Sequence, residues 1–180
     1  MLGVGSRFPA FSVQATVSLE PGKTFRTITD QDFKEKWKIY FFWPKDFTFV
    51  CPTELQAFAR LQHGFEERDA QIIGCSTDSE FAHLAWRQQQ PELKDLPFPM
   101  LADVKRELCG ALQILDPQEG VAQRATFIVD PYSIIRFVAV YDLMVGRYPE
   151  EVLRVLDALQ TDALCPANWH KGQPVLTPRV

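Results

Sequence analysis

An α/β sandwich on a mixed central sheet is the fold class this sequence predicts, and three observations carry it. Short apolar runs rich in β-branched and aromatic residues alternate with longer stretches in which apolar residues recur at helical spacing. The last two apolar runs are separated only by Asp130-Pro131-Tyr132-Ser133. That turn suits a hairpin, and so an antiparallel pair in a sheet whose other connections pass through helices. The 180 residues contain no Pro/Gly/Ser-rich linker, internal repeat or low-complexity block, so one sizeable core is expected.

The elements follow in order. After an irregular start containing Pro9, residues 11–19 read as a strand or hairpin, and residues 30–36 as a short helix capped by Thr29 or Asp30. Ile39 to Trp43 is too short and too apolar for anything but a buried strand, and the cluster Phe41-Phe42-Trp43 is core. Leu55, Phe58, Ala59, Gln62 and Phe65 follow helical spacing, which predicts a helix over 53–68. Ile72 to Ser76 reads as a second buried strand, 79–89 and 103–109 as helices, Thr126 to Val129 and Ile134 to Val140 as the hairpin strands, and 149–160 as a last helix. A thioredoxin-like arrangement fits this order. Beyond residue 160, Cys165-Pro166-Ala167-Asn168-Trp169, with Pro174 and Pro178 after it, has neither period. The chain divides into a domain over 1–160 and an extended C-terminal arm over 161–180.

Composition removes several functions. A formal charge of -4 and the lack of any basic run give no electrostatic footprint for nucleic acid, so proteins and small molecules are the expected partners. No stretch approaches the ~20 apolar residues of a membrane span, and the N-terminus lacks the pattern of a signal peptide, which points to the cytoplasm. Four cysteines, at 51, 75, 109 and 165, form no Cys-x-x-Cys pair, and His63, His83 and His170 have no ligand-like spacing, so no metal site is expected. In a reducing compartment a disulfide is more often catalytic or redox-sensing than structural.

Cys51 is the residue to which chemistry attaches. It stands between the apolar strand and Pro52-Thr53-Glu54, near a helix N-terminus, where the dipole and unpaired backbone N–H groups favour a thiolate and Pro52 suits the first helical turn. Lowering a thiol pKa from about 8.5 to about 6 raises the thiolate fraction at pH 7 roughly thirtyfold, and the accompanying loss of nucleophilicity returns roughly tenfold of that. A fast thiol enzyme must therefore also stabilise the transition state. Thr48, three residues before the cysteine, offers a hydroxyl toward the same pocket. Arg124, leading the strand Ala125-Thr126-Phe127-Ile128-Val129, is the best candidate to hold a thiolate and an incoming oxygen together.

Pro44-x-x-x-Thr48-x-x-Cys51 resembles the active-site signature of the peroxiredoxins. The segments Phe49-Val50-Cys51-Pro52-Thr53-Glu54-Leu55, Asp78 to Trp86 and Thr126 to Pro131 resemble the typical two-cysteine branch, over almost the whole chain. Within it, Phe42-Trp43-Pro44-Lys45-Asp46-Phe47 and Leu164-Cys165-x-x-Asn168-Trp169 are similar to the bacterial alkyl hydroperoxide reductases of the AhpC type.

The resemblance implies a thiol-dependent peroxidase for hydrogen peroxide and organic hydroperoxides, acting in antioxidant defence and redox homeostasis. Cys51 is then the peroxidatic cysteine, which becomes a sulfenic acid, and Cys165 the resolving cysteine of the neighbouring subunit. Pro44 shields the thiol, Thr48 hydrogen-bonds the peroxide, and Arg124 stabilises thiolate and transition state. Glu54 and Arg147 orient that network, and Trp86 belongs to its surroundings. An intersubunit disulfide demands at least a homodimer, and a decamer of five dimers is the implied assembly. No cofactor is implied, since the redox centre is the protein's own sulfur. A flavoprotein reductase, thioredoxin or a small thiol adaptor are all compatible reductants.

Relatives sensitive to overoxidation carry a Gly-Gly-Leu-Gly insertion and a C-terminal Tyr-Phe helix. The span from Cys109 to Arg124 has no such glycine run, and the tail ends in Pro178-Arg179-Val180, so a comparatively resistant enzyme is expected. Ala167 stands where some related bacterial proteins place a further cysteine, which removes a three-cysteine relay. Cys75 and Cys109 read as packing, and His83 as a capping or packing residue. A thioredoxin-type disulfide reductase is disfavoured because Glu54 occupies the position of the second thiol of Cys-x-x-Cys. A holdase role is compatible with catalysis.

Overall fold

The structure, a computed structural model, describes residues 1–178; Arg179 and Val180, the end of the expected arm, lie outside the described residues. The elements run β1 (Ser12–Thr16), β2 (Phe25–Thr29), β3 (Trp37–Phe42), α1 (Cys51–Arg60), α2 (Gln62–Glu66), β4 (Ala70–Ser76), α3 (Glu80–Gln89), a 3-10 turn (Pro91–Leu93), β5 (Met100–Ala102), α4 (Glu107–Leu112), β6 (Arg124–Val129), β7 (Ile135–Tyr141) and α5 (Pro149–Gln160). The strands form one sheet in the order β2-β1-β5-β4-β3-β6-β7. β3 and β4, and β4 and β5, are parallel; the other pairs are antiparallel. The mixed sheet expected from the Asp130–Ser133 turn is present, with β6 and β7 forming the hairpin.

Each face of the sheet carries a core. Tyr40, Phe42, Ile73 and Phe127 face one side, joined by Phe8, Leu108 and Leu112. Ile39, Phe41, Trp43 and Ile72 face the other, against Leu55 and Phe58 of α1, Trp86 of α3 and Leu156 of α5. Central strands covered on both sides need apolar residues on both faces, which is why residues 39–42 of β3 and 72–75 of β4 read as apolar runs. Phe41 and Trp43 pass so close over β4 that a Cβ on Gly74 would lie 2.8 Å from the Trp43 ring. Only glycine fits there.

Several expectations are corrected. Residues 30–36 form turns, not a helix. The Asp32 carboxylate accepts from the Thr29 backbone N–H at 2.8 Å and its hydroxyl at 2.9 Å, and Phe33 and Glu35 have φ of 60° and 68°, which stops helical propagation. The stretch 53–68 is two helices broken at Leu61, and α4 begins four residues later than expected, its Leu108 and Cys109 N–H groups capped by the Asp103 carboxylate. β2 and β5 were not anticipated; β5 has three residues and β2 is largely exposed, so neither shows a clear period. Among its described residues the arm has no helix or strand, but it is anchored. Trp169 is buried, its indole N–H donates to the Gln173 carbonyl at 3.0 Å, and Arg154 of α5 donates to the Trp169 carbonyl at 2.8 Å.

Candidate active site

β3 ends at Phe42, and the chain crosses to α1 through residues 43–50, so Cys51 arrives as the first residue of the helix. Pro52 follows it, and no side chain caps the helix; the Val50 carbonyl accepts instead from the Thr53 and Glu54 N–H groups. Cys51 is buried, yet its sulfur meets a small, largely apolar cavity of about 200 Å³ lined by Pro44, Lys45, Thr48, Cys51, Glu119 and Arg124, among others. Thr48 donates its hydroxyl proton to the Lys45 carbonyl at 2.9 Å, which leaves its oxygen lone pairs to accept. Lys45 and Glu119 form an ion pair beside the cavity.

Because β6 runs antiparallel to β3, its first residue, Arg124, lies at the end of the sheet from which β3 feeds the cysteine loop. Its Nη1 donates to Cys51 Sγ at 3.3 Å and to Glu54 Oε2 at 2.8 Å, and its Nε donates to the Leu143 carbonyl at 2.8 Å. Glu54 is three residues after Cys51, on the same side of α1. Arg147 clamps it from the other side: backbone N–H to Oε1 at 3.0 Å, Nε to Oε1 at 2.8 Å and Nη2 to Oε2 at 2.8 Å. Arg147 also donates to the Ala125 carbonyl and Thr126 hydroxyl and lies over the Phe41 and Phe58 rings. Two buried guanidinium groups thus share one buried carboxylate, Arg147 holding it with two nitrogens of its fork and Arg124 with Nη1 alone.

The residues singled out around Cys51 therefore come together, with two exceptions. Trp86 is buried in the same apolar cluster but does not line the cavity; its ring packs near Trp43 and Phe47, and its N–H donates to Gln90 at 2.7 Å. Cys165 lies elsewhere, half-buried after α5, in a separate cleft with no lining residue in common with the Cys51 cavity. Its sulfur is 3.4 Å from the Thr161 hydroxyl.

A second buried cluster was missed. Asp46 Oδ1 accepts from the Trp43 indole at 2.8 Å, and its Oδ2 lies 2.6 Å from His83 Nδ1. Nε2 of His83 faces the Leu101 carbonyl at 3.1 Å, and the Asp46 N–H donates to Asp78. Burial pushes the Asp46 carboxyl up, and His83 acts against this. His83 is buried beside the Trp43 ring, as a packing residue is, but it does not cap: Ser79 caps α3, and the imidazole moors the cysteine loop. An aspartate directly after the buried strand, in a loop rich in aromatic residues, was the available signal. Cys75 and Cys109 are buried together in the core, as packing residues should be. No group of three or more His, Cys, Asp or Glu side chains among the described residues is placed to hold a metal ion.

A lone buried cysteine at a helix start, touched by an arginine that a buried carboxylate holds in place, defines a thiol-based redox enzyme that uses single sulfurs and not a Cys-x-x-Cys pair. The chain belongs to the AhpC/TSA family, whose model matches residues 4–138. It is 54% identical over 184 residues to an alkyl hydroperoxide reductase C of Mycobacterium tuberculosis, covering 98% of this chain and 94% of that protein. Among solved structures, Mycobacterium tuberculosis AhpC superposes with a TM-score of 0.87 at 53% identity, covering 94% of this chain and 99% of the other. A reduced 2-Cys peroxiredoxin of Plasmodium vivax superposes with a TM-score of 0.91 at 32% identity, covering 98% and 93%. The peroxiredoxin resemblance and the thioredoxin-like fold read from the sequence both hold.

Proposed function

We propose that the protein reduces hydrogen peroxide and organic hydroperoxides at Cys51, by a two-cysteine cycle completed by Cys165 of a neighbouring subunit. The observation that carries this reading is the contact of Arg124 Nη1 with Cys51 Sγ inside a cavity rimmed by Pro44 and Thr48. The thiolate attacks the distal oxygen of the hydroperoxide, the O–O bond breaks, and a proton completes the departing water or alcohol while the sulfur becomes a sulfenic acid. Arg124 faces the sulfur and the developing charge. Thr48, its own proton engaged, accepts the O–H of the peroxide, and Pro44 keeps bulk water away. Glu54 and Arg147 fix the direction of Arg124.

The Cys165 thiol then displaces hydroxide from the sulfenic sulfur, forming S–S and releasing water, and a protein dithiol returns both sulfurs to thiols with two electrons. A buried sulfur in the first turn of a helix reaches another thiol only if that turn opens. The missing side-chain N-cap makes this turn the weak end of α1, which favours disulfide formation over further oxidation. The separate clefts of the two thiols fit pairing between subunits, in a homodimer and a decamer of such dimers. The reductant is a flavoprotein reductase, thioredoxin or a small thiol adaptor, and the setting is the cytoplasm; no helix among the described residues is long and apolar enough to cross a membrane.

One equivalent of hydrogen peroxide added to the reduced protein, followed by non-reducing electrophoresis and peptide mass spectrometry, tests the cycle. A dimer linked Cys51 to Cys165 is expected. Cys51 stopping at sulfenic or sulfinic acid with Cys165 free would overturn the two-cysteine mechanism in favour of a one-cysteine peroxidase.

A further inference from the structure

A wide cleft lies at the opposite end of the sheet from Cys51. The register sets this: Lys38 pairs with Val129 at one end of the β3–β6 ladder, and Phe41 pairs with Thr126 toward the end bearing Arg124. The cleft, about 700 Å³, opens between residues 30–35, the β6–β7 turn and Arg7.

Lys38 lines this cleft although only 3% of its surface is accessible. Among the described residues its ammonium makes no hydrogen bond and has no carboxylate oxygen within 4.0 Å. Burial pushes its pKa down, and the nearby Asp130 only partly offsets this. Asp130 is engaged elsewhere, accepting from the Tyr132 and Ile134 N–H groups and from Arg136. The stem of Lys38 is buried while its ammonium still opens to the cleft, so the charge is the group an arriving anion meets there.

The rim states which anion. Arg7 and Lys34 add two exposed cations, while Asp30 and Glu35 stand beside them. The two carboxylates repel a bare phosphate but accept from hydroxyl groups that a larger ligand brings. Tyr132, 81% exposed, presents an open aromatic ring. Phe33 and Glu35, both at positive φ, hold this wall in a conformation that bulky side chains rarely adopt.

We propose that this cleft binds a mononucleotide, with the phosphate on Lys38, Arg7 and Lys34, ribose hydroxyls on Asp30 and Glu35, and the base on Tyr132. A site of this size lies in the usual range for small-molecule ligands.

The test is calorimetric titration of the reduced, full-length protein with adenosine monophosphate, inorganic phosphate and adenosine. Adenosine monophosphate is expected to saturate one site per chain, at least about tenfold more tightly than either fragment, because both halves of the site then contribute. Lys38→Met, which swaps the ammonium for an apolar group of similar length, should weaken it at least about tenfold. Hydroperoxide consumption by that variant should be unchanged, which also reports an intact fold. Tyr132→Ala, at an exposed position, should weaken the nucleotide and leave phosphate unaffected. Lack of saturation by millimolar nucleotide, or equal affinity in Lys38→Met, would overturn the site; phosphate binding as tightly as the nucleotide would overturn the assignment of the ligand.

Discussion

Arg124 and Cys51, 73 residues apart in the chain, meet through a single nitrogen: Nη1 donates to Sγ at 3.3 Å and, from the same atom, to Glu54 Oε2 at 2.8 Å. The sulfur, the guanidinium and the carboxylate are thus one electrostatic unit, anchored at its far side by Arg147.

Replacing Arg124 by lysine should lower the rate of Cys51 oxidation about 10²- to 10³-fold, the scale of losing one preorganised donor at a developing charge. An ammonium is a point charge and cannot serve sulfur, carboxylate and the Leu143 carbonyl from one planar group. Stopped-flow fluorescence with hydrogen peroxide measures this; a loss under tenfold would mean that the fork geometry is dispensable.

Glu54→Gln should cost about 3–5 kcal/mol, because it leaves two buried guanidinium groups facing a neutral amide. Urea unfolding of the reduced protein reads the loss directly. A change below about 1 kcal/mol would show that water replaces the carboxylate at no cost.

Cys109 should resist alkylation in the native protein and react only on unfolding, since the adjacent Cys75 sulfur and then burial push its thiol far up. Half-buried Cys165 should react first. Cys109→Ala should cost about 1–2 kcal/mol of stability and leave peroxide consumption intact. Mass-spectrometric footprinting with iodoacetamide and a peroxidase assay check the two halves.

Asp32 should lend the fold an acid-sensitive contribution. The Thr29 backbone N–H, with its hydroxyl and Arg26 adding to it, holds the Asp32 carboxyl below its ordinary value of 3.8, and desolvation only partly opposes this. Its contribution is present above that value and is lost as the pH falls through the lower folded one. The stability gap between the protein and Asp32→Asn should therefore be constant at neutral pH and close on acidification below about pH 4. A gap that widens in acid would contradict the sign.

What the sequence determined by itself is local and periodic. Short, mostly apolar runs marked β3, β4 and β6 because strands covered on both faces have little polar side to show. Helical spacing marked the body of α1, and α3 and α5, and the strand-to-helix junction marked Cys51, with Thr48 three residues away. The motif resemblance also brought Arg124, Glu54 and Arg147 to that site before any contact was known. The three-residue β5 and the exposed β2 were silent because their order comes from backbone pairing with β1 and β4, not from side-chain pattern. Residues 30–36 misled because Asp32 spends its carboxylate on Thr29, an option composition does not reveal. Only the tertiary structure decided that Asp46 would meet His83, that Glu54 would be gripped by two arginines, and that Lys38 would line a cleft with its stem buried. Those outcomes depend on which residues a seven-stranded sheet brings within about 3 Å of one another across long stretches of chain, and on how much water it removes from between them.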